Sequence, residues 1–420
     1  MPLESMDRPP RLIVFDVEGV LLPKKRYLLL EATRRLGPCG VFKLAAIGLL
    51  YELGVLSLEG AIRGVYGLFR GVGVDALFRT FRDIPLIPGV EDVLCRLREA
   101  GFRVALISSG LPSFLVGELA ERLGADYAFG LDVDAVDGRL TGRVGGDVIR
   151  AEGKAVVLKR LLDGEGFTPD GCVVVADDRN NLPMLPLCGL RIGFNPDFLM
   201  NMKSDYVVKG SLKEVLSIIG IHKPHASSSY LSRNEAIREA IHIGSFSIPL
   251  LCHYGLISRS LVSAMILIVT VLYAYSELSR LRRTNVPVLS SITWRAAVGP
   301  ELYDFAATPI YFALGIVLSL TILPAPIGYA SVAVLTLGDG LATVSGRMIG
   351  RTHIPFNKPK TLEGLALGLL VAFLGATFFV NPVKALIGAV VGMAMEPFPS
   401  PLNDNVSVPL ACGLVLAIIP

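Results

Sequence analysis

Charge is spread unevenly along this chain, and that unevenness constrains its fold more than any single motif. Of 77 charged residues, 57 lie in residues 1–233 and 20 in residues 234–420. A soluble domain needs a charged shell. The second stretch instead reads as apolar segments separated by short polar loops, the pattern of membrane spans. The mean hydropathy of +0.57 is thus an average over two unlike halves. The net charge of +3 gives no case for a nucleic-acid partner. Cys39, Cys95, Cys172, Cys188, Cys252 and Cys412 are scattered without a CxxC pair, and there are five histidines. Neither a disulfide framework nor a zinc site is expected. The opening MPLESMDRPP has no apolar run, so no signal peptide is expected and the first half is expected in the cytosol.

In the charged half, RLIVF (11–15) is a short β-branched run that ends on Asp16 and continues as VEGVLL. RVALIS (103–108) and CVVVAD (172–177) have the same form, with helical patterns VEDVLCRLREAG, LVGELAERLG and KAVVLKRLL between them. Strands that alternate with helices predict a doubly wound α/β domain with a parallel sheet. Sites in such sheets lie beyond the carboxyl ends of the strands. There stand Asp16, Ser108 and Asp177, and Lys154 opens the helix before the third strand. Any one alone reads as a strand-end turn or cap. Together they supply a carboxylate nucleophile, a hydroxyl and a cation for phosphate oxygens, and a second carboxylate for Mg²⁺. Phosphoryl transfer needs these parts, because its catalysis is mostly positioning and charge neutralisation.

Three longer stretches carry a resemblance: IPGVEDVLCRLREAGFRVALISSG, LGADYAFGLDVDAVDGRLTGRVGGDVIRAEGKAVVL (123–158) and ADDRNNLPML (176–185). Over roughly residues 11–200 the chain resembles the haloacid-dehalogenase phosphatases, and more closely those of phosphoserine phosphatase type. The resemblance implies Asp16 as a nucleophile that forms an aspartyl-phosphate. It implies Ser108, with Ser109 and Gly110 of the same motif, and Lys154 as phosphate ligands. It implies Glu18 as general acid/base, and Asp16, Glu18 and Asp177 as the residues around Mg²⁺. Three departures are visible. Glu18 replaces the usual Asp, the fourth motif begins Ala-Asp-Asp, and Asn181 stands where a later Asp is usual. Residues 24–84 are expected to form the cap that selects the substrate. Their apolar runs (YLLLEA, GVFKLAAIGLLYELGVL) favour a hydrophobic substrate or contact with the bilayer, against an ordinary helical-bundle core.

The domain is expected to close near residue 220, with a polar linker over 221–233. About seven apolar spans follow, near 235–254, 256–276, 300–321, 324–341, 362–380, 383–396 and 405–420. With the first domain cytosolic, the inward loops hold Arg280, Arg282, Arg283, Arg295, Arg347, Arg351, Lys358 and Lys360. The outward ones hold Arg259 and Lys384. This asymmetry agrees with the positive-inside rule and predicts an integral protein of the cell membrane with a cytosolic N-terminal domain.

Polar residues near the spans gather on the inward side: Arg238, His242, Glu277, Arg280, Glu301, Asp339, Glu363, Glu396 and Asn403-Asp404-Asn405. Ionisable groups beside spans are costly unless paired, so they default to function. Glu277 with Arg280 also reads as a helical i,i+3 pair, and His242 as a packing histidine. The segment GDGLATVSGRMIGRTHIPFNKPKTLEGLALG (338–368) joins a carboxylate on an expected glycine turn to four cations. With REAIHI (238–243), YSELSR (275–280) and NDNVSVPL (403–410), it resembles the CTP-dependent polyprenol kinases, which include dolichol, phytol and diacylglycerol kinases. The resemblance implies CTP and Mg²⁺ at the cytosolic face and a lipid alcohol entering from the bilayer. It implies Asp339 as metal ligand or base. It implies Lys358 and Lys360, with His242 and Arg347, as phosphate ligands, and Glu363 and Asp404 as metal or positioning groups.

The sequence therefore predicts a bifunctional membrane enzyme, with lipid-alcohol kinase and phosphomonoesterase activities that act on different substrates or of which one is regulated. A cytidylyltransferase acting on a lipid phosphate is the second reading of the membrane half. A transporter or scaffold with a degenerate phosphatase domain is the third.

Overall fold

Leu12, Ile13, Val14 and Phe15 expose no surface, although consecutive strand residues face opposite sides. Their strand, β1 (Arg11–Asp16), is therefore covered on both faces, as parallel strands are. A computed structural model describes residues 11–24, 36–221, 232–281, 295–297, 301, 304–355, 357–398 and 403–419. The chain divides into two units, Met1–Ala226 and Ser227–Pro420.

After β1, the N-terminal unit runs through α1 (Gly37–Glu52), α2 (Leu58–Leu68), α3 (Val74–Arg82), α4 (Val90–Glu99), β2 (Phe102–Pro112) and α5 (Ser113–Leu123). It continues with β3 (Tyr127–Val136), β4 (Arg139–Gly145), α6 (Gly153–Glu165), β5 (Cys172–Ala176), β6 (Leu190–Phe194), α7 (Phe198–Lys203), β7 (Tyr206–Val208) and α8 (Glu214–Ile218). The sheet order is β4-β3-β2-β1-β5-β6-β7. Every pairing is parallel except β3 with β4. The helices bury one face each: in α4 it is Val90, Val93, Leu94 and Leu97, at helical spacing. A buried side chain of this size contributes about 1.5–3 kcal/mol, so this apolar face, more than the solvent-screened Arg96–Asp92 ion pair, holds the helix in place. The chain builds outward from β1 to β3 and then resumes on the other side of β1 with β5. The carboxyl ends of β1 and β5 thus flank the topological switch point, where such folds place their ligands.

Helices α1 to α3 lie within the stretch expected to form the cap; residues 25–35 of that stretch are outside the described residues. Helix α2 buries Ala61, Ile62 and Tyr66 and packs on β4, where Arg63 donates to the Val144 carbonyl (2.9 Å). Helix α1 is different. It leaves Phe42, Leu49 and Leu50 exposed, so it is not a bundle core helix.

The C-terminal unit is helical: α9 (Arg233–Gly244), α10 (Ser247–His253), α11 (Arg259–Leu281), α12 (Thr308–Ile322), α13 (Ala325–Ala333), α14 (Gly340–Ile349), α15 (Leu362–Ala376), α16 (Pro382–Met395) and α17 (Asp404–Ile418). A small hairpin, His353–Ile354 with Asn357–Thr361, precedes α15. Two helices are long and apolar enough to cross a membrane, Arg259–Arg280 and Ala325–Ile349. Helices α12, α15, α16 and α17 have 14 or 15 residues, short of the roughly 20 that a straight span needs. The span expected over 235–254 is broken at residues 245–246. Pro249 has no N–H for the Ser245 carbonyl and its ring clashes there, so two short helices form. Most of the basic loop expected over 277–299, with Arg282 and Arg283, lies outside the described residues.

Gly338-Asp339-Gly340 does not form the expected turn. Helix α13 passes through a π-helical segment, Val334–Asp339, directly into α14. Such segments recur at functional sites. Small residues bring α15 against this helix: a Cβ on Gly364 would stand 2.6 Å from the Ala342 carbonyl oxygen, and one on Gly368 2.7 Å from that of Gly338.

Candidate active site

Beyond the carboxyl end of β1 the chain reverses sharply, with Leu21 and Leu22 both donating to the Val17 carbonyl (3.0 and 2.9 Å). Gly19 makes this possible. Its φ is +90°, and a Cβ there would collide with the Asp177 carboxylate. The reversal leaves Asp16, 3% exposed, facing α6 and the loop after β5. Lys154 Nζ donates to Asp16 Oδ1 (2.8 Å) and to Asn181 Oδ1 (2.8 Å). Asn181 Nδ2 donates to Asp16 Oδ2 (2.5 Å), and the Val17 amide donates to Asp16 Oδ1 (2.8 Å). A buried carboxylate is tolerable only with such partners. Burial disfavours the Lys154 ammonium, but the charges of Asp16, Asp178 and Glu18 and the hydrogen bond to Asp16 together outweigh it and hold its pKa above the ordinary lysine value.

Glu18 sits one turn of the loop away. The Ser108 hydroxyl donates to Glu18 Oε2 (2.7 Å) and accepts from the Gly110 and Leu111 amides (3.2 and 2.8 Å). A Cβ on Gly110 would meet Glu18 Oε1 and push that carboxylate from its present place. Burial, and then the charge of Asp16, raise the Glu18 pKa; Lys154 and Ser108 oppose this. Glu18 thus ionises less readily than an ordinary glutamate and stands beside Asp16, an arrangement that suits an acid next to a nucleophile. Ser109 is buried at the end of the same motif.

Asp177 and Asp178 follow β5. Carboxylate oxygens of Asp16, Asp177 and Asp178 lie within 4.8 Å of one another, the one group among the described residues that could hold a metal ion. Asp177 Oδ1 is buried with no hydrogen-bond partner among the described residues. Lys24 Nζ already bridges Asp177 Oδ2 (2.9 Å) and Asp178. Burial pushes the Asp177 carboxyl well above the usual range despite Lys24. A divalent cation fits this donor set: hard anionic oxygens, one of them orphaned, around a place that already attracts an ammonium. Glu18, expected beside the metal, is turned to Ser108 instead. Asp178, Lys24 and two cap tyrosines were not anticipated. Tyr66 donates to the Gly110 carbonyl (2.7 Å), and Tyr51 donates to Asn180 while Arg179 lies 4.7 Å over its ring. The cap therefore touches both phosphate-motif loops. The adjacent acids of Ala-Asp-Asp were the available signal for Asp178.

In the C-terminal unit, Asp339 Oδ2 lies 3.6 Å from His242 Nδ1, and His242 stacks on Phe312 (ring centroids 4.0 Å apart). Lys360 Nζ pairs with Glu396 (2.8 Å) and stands 3.8 Å from Asp404. Asp339 acts electrostatically on Glu239, His242, Lys360, Glu396 and Asp404, so these groups share one locality. Two expected members are placed differently. Glu363 accepts from the amides of Arg351 and Thr352 (3.1 and 3.0 Å) and clamps the loop. Arg347 pairs with Glu235 (2.9 Å) at the surface. The Lys358 side chain lies outside the described residues. Glu277 and Arg280 form the helical i,i+3 pair (2.7 Å), and each also binds the 304–306 backbone. Next to the cluster is a cavity of about 510 Å³ walled by Ile241, Leu251, Val262, Ile266 and Phe312, with Arg238, His242 and Glu301 as its ionisable lining.

The haloacid dehalogenase-like hydrolase family matches residues 13–186. Phosphoserine phosphatase of Archaeoglobus fulgidus is 33% identical over 221 residues, covering 52% of this chain and 62% of that protein. Phosphoserine phosphatase of Methanocaldococcus jannaschii is 28% identical over 215 residues, 51% of this chain and 100% of that protein. A solved structure of a phospho-aspartyl intermediate analogue of phosphoserine phosphatase is 27% identical, with a TM-score of 0.46, covering 50% of this chain and 99% of that one. The N-terminal half of the chain is a haloacid dehalogenase-like domain of the phosphoserine phosphatase type.

Proposed function

We propose that the N-terminal unit hydrolyses a phosphomonoester through a phosphoryl group carried on Asp16. The carrying observation is the buried Asp16 carboxylate fixed by Lys154 and Asn181, beside a Glu18 carboxyl that ionises less readily than an ordinary glutamate. An Asp16 oxygen attacks phosphorus and the phosphorus–oxygen ester bond breaks. Glu18 gives its proton to the departing oxygen. The Glu18 carboxylate then takes a proton from water, whose oxygen displaces Asp16 and releases inorganic phosphate. Ser108 and Lys154 exchange their present partners for phosphate oxygens. Asp16, Asp177 and Asp178 would hold a Mg²⁺ ion, which would supply charge neutralisation there. The names of the relatives make phosphoserine the first substrate to test, and the exposed apolar face of α1 favours a hydrophobic phosphomonoester or the bilayer as an alternative. Full-length protein with Mg²⁺ should release phosphate from phosphoserine or p-nitrophenyl phosphate, and Asp16→Asn should not. Equal rates would overturn this reading.

We further propose that the C-terminal unit is a membrane domain that phosphorylates an isoprenoid or other lipid alcohol from CTP, with its site facing the cytosol. The support is the grouping of Asp339, His242, Lys360, Glu396 and Asp404 beside an apolar cavity, together with two helices of spanning length. Incubation with γ-labelled or α-labelled CTP and mixed lipid alcohols and lipid phosphates tests it. Label from the γ position in a lipid supports the kinase. Label from the α position moves the function to cytidylyl transfer. No labelled lipid from either leaves the scaffold reading.

A further inference from the structure

We propose that Cys172 and Cys188 form an intrachain disulfide, a covalent tie between the two ends of the segment that carries Asp177, Asp178 and Asn181. The tie is independent of both activities proposed above. The two thiols are buried, and their sulfurs lie 3.2 Å apart. To bond, the sulfurs need approach each other by only about 1 Å more. The sheet holds them there. Cys172 opens β5, Cys188 stands just before β6, and the two strands pair in register with Val173 opposite Leu190. The Gly189 amide donates to the Cys172 carbonyl (3.0 Å), which pins the backbone next to Cys188. Neighbouring strands run about 4.7–4.9 Å apart, inside the Cα separation of about 4.4–6.8 Å that a disulfide spans. The spacing of the six cysteines along the chain hides this pair, because the strand register creates it.

Bond formation needs an oxidant, and a small-molecule disulfide such as oxidised glutathione is the class that fits. One cysteine thiolate attacks it and displaces a small thiol, which leaves a mixed disulfide on the protein. The other cysteine thiolate then attacks the protein sulfur of that mixed disulfide and displaces the second small thiol. Two protein thiols are oxidised, one small disulfide is reduced, and the two protons end on the departing thiols. In the folded unit, the contact with Cys172 and then burial push the Cys188 thiol up, so exchange there is slow. The bond therefore forms as β5 and β6 dock, before the sulfurs are covered. Reducing it afterwards would release little freedom, because the sheet keeps both sulfurs in place. Such a disulfide resists the glutathione pool, whereas the exposed Cys39 and Cys95 stay open to it.

Thiol trapping in the full chain tests this. Cells that express it are quenched in acid, and the protein is then denatured and labelled with a maleimide. Of the six cysteines, four should label, and all six after dithiothreitol. Unreduced digests should contain the Cys172 and Cys188 peptides joined. Six labels without reductant, or a link between other cysteines, would overturn the inference. Dithiothreitol should also lower the melting temperature of the N-terminal unit by about 5 °C or more in the wild type and leave Cys188→Ala unchanged. Equal melting of the wild type with and without reductant would overturn the tie. The label count needs no variant, so it decides even where Cys188→Ala fails to fold.

Discussion

The two polar clusters of this chain are built in opposite ways. At the ends of β1 and β5, three of the groups that matter end or directly follow their strands: Asp16 closes β1, and Asp177 and Asp178 come after β5. Backbone amides then help to fix them, Val17 on Asp16 and Asn180 on Asp178. In the C-terminal unit, His242, Asp339, Lys360, Glu396 and Asp404 come from five separate segments and meet mainly through side chains, with Lys360 Nζ also donating to the Glu396 backbone carbonyl (2.9 Å). Lys360 is spent on Glu396, and His242 approaches Asp339 no closer than 3.6 Å. A strand-end site is preorganised by its sheet. A helix-face site depends on how closely helices pack, here on Gly364 and Gly368.

Five substitutions should break or sharpen this contrast. Asp16→Asn has the largest effect: phosphatase turnover should vanish while transfer from CTP is unchanged, and Asp339→Asn should do the reverse. Paired assays on one preparation check this. Glu18→Gln should slow hydrolysis by about 10²–10⁴-fold. Glu18 must be protonated to act as the acid, and its pKa is raised by burial and Asp16. Hydrolysis should therefore persist where an ordinary glutamate is ionised and decline as pH rises through that raised pKa. The pH profile of Glu18→Gln should lack this decline.

Lys154→Met leaves Asp16 as a buried charge without its cation, which should destabilise the N-terminal unit by about 3–5 kcal/mol in a denaturant titration. Arg347→Ala removes a partly exposed pair with Glu235 and should cost less than about 1 kcal/mol. A large loss there would mean that the helix-face region is as tightly coupled as the strand-end site.

The strand-end site was legible because each residue terminates a conspicuous β-branched run: RLIVF before Asp16, RVALI before Ser108, CVVVA before Asp177. A residue's place in a parallel sheet nearly fixes where its side chain points. Asp178 was passed over because the motif's third position is usually glycine, and only the packing reveals that its carboxylate joins the group. Lys24 was illegible for another reason, since its reach across to residues 177 and 178 depends on the loop reversal at Gly19. In the C-terminal unit the motif residues were visible but their partners were not. Glu363 and Arg347 sit in the right segment, yet local backbone amides and Glu235 claim them. The broken helix at 245–246 follows from Pro249, which hydropathy alone does not register.

The central claim is that Asp16 carries the phosphoryl group. Rapid mixing of full-length protein with p-nitrophenyl phosphate, an acid quench and borohydride reduction would convert an aspartyl-phosphate to homoserine, which peptide mass spectrometry can locate. The account predicts homoserine at position 16 in the wild type, in greater yield in Glu18→Gln if loss of the acid/base slows breakdown more than formation. Hydrolysis that proceeds with Asp16 unmodified, or with the phosphoryl group on another residue, would contradict it.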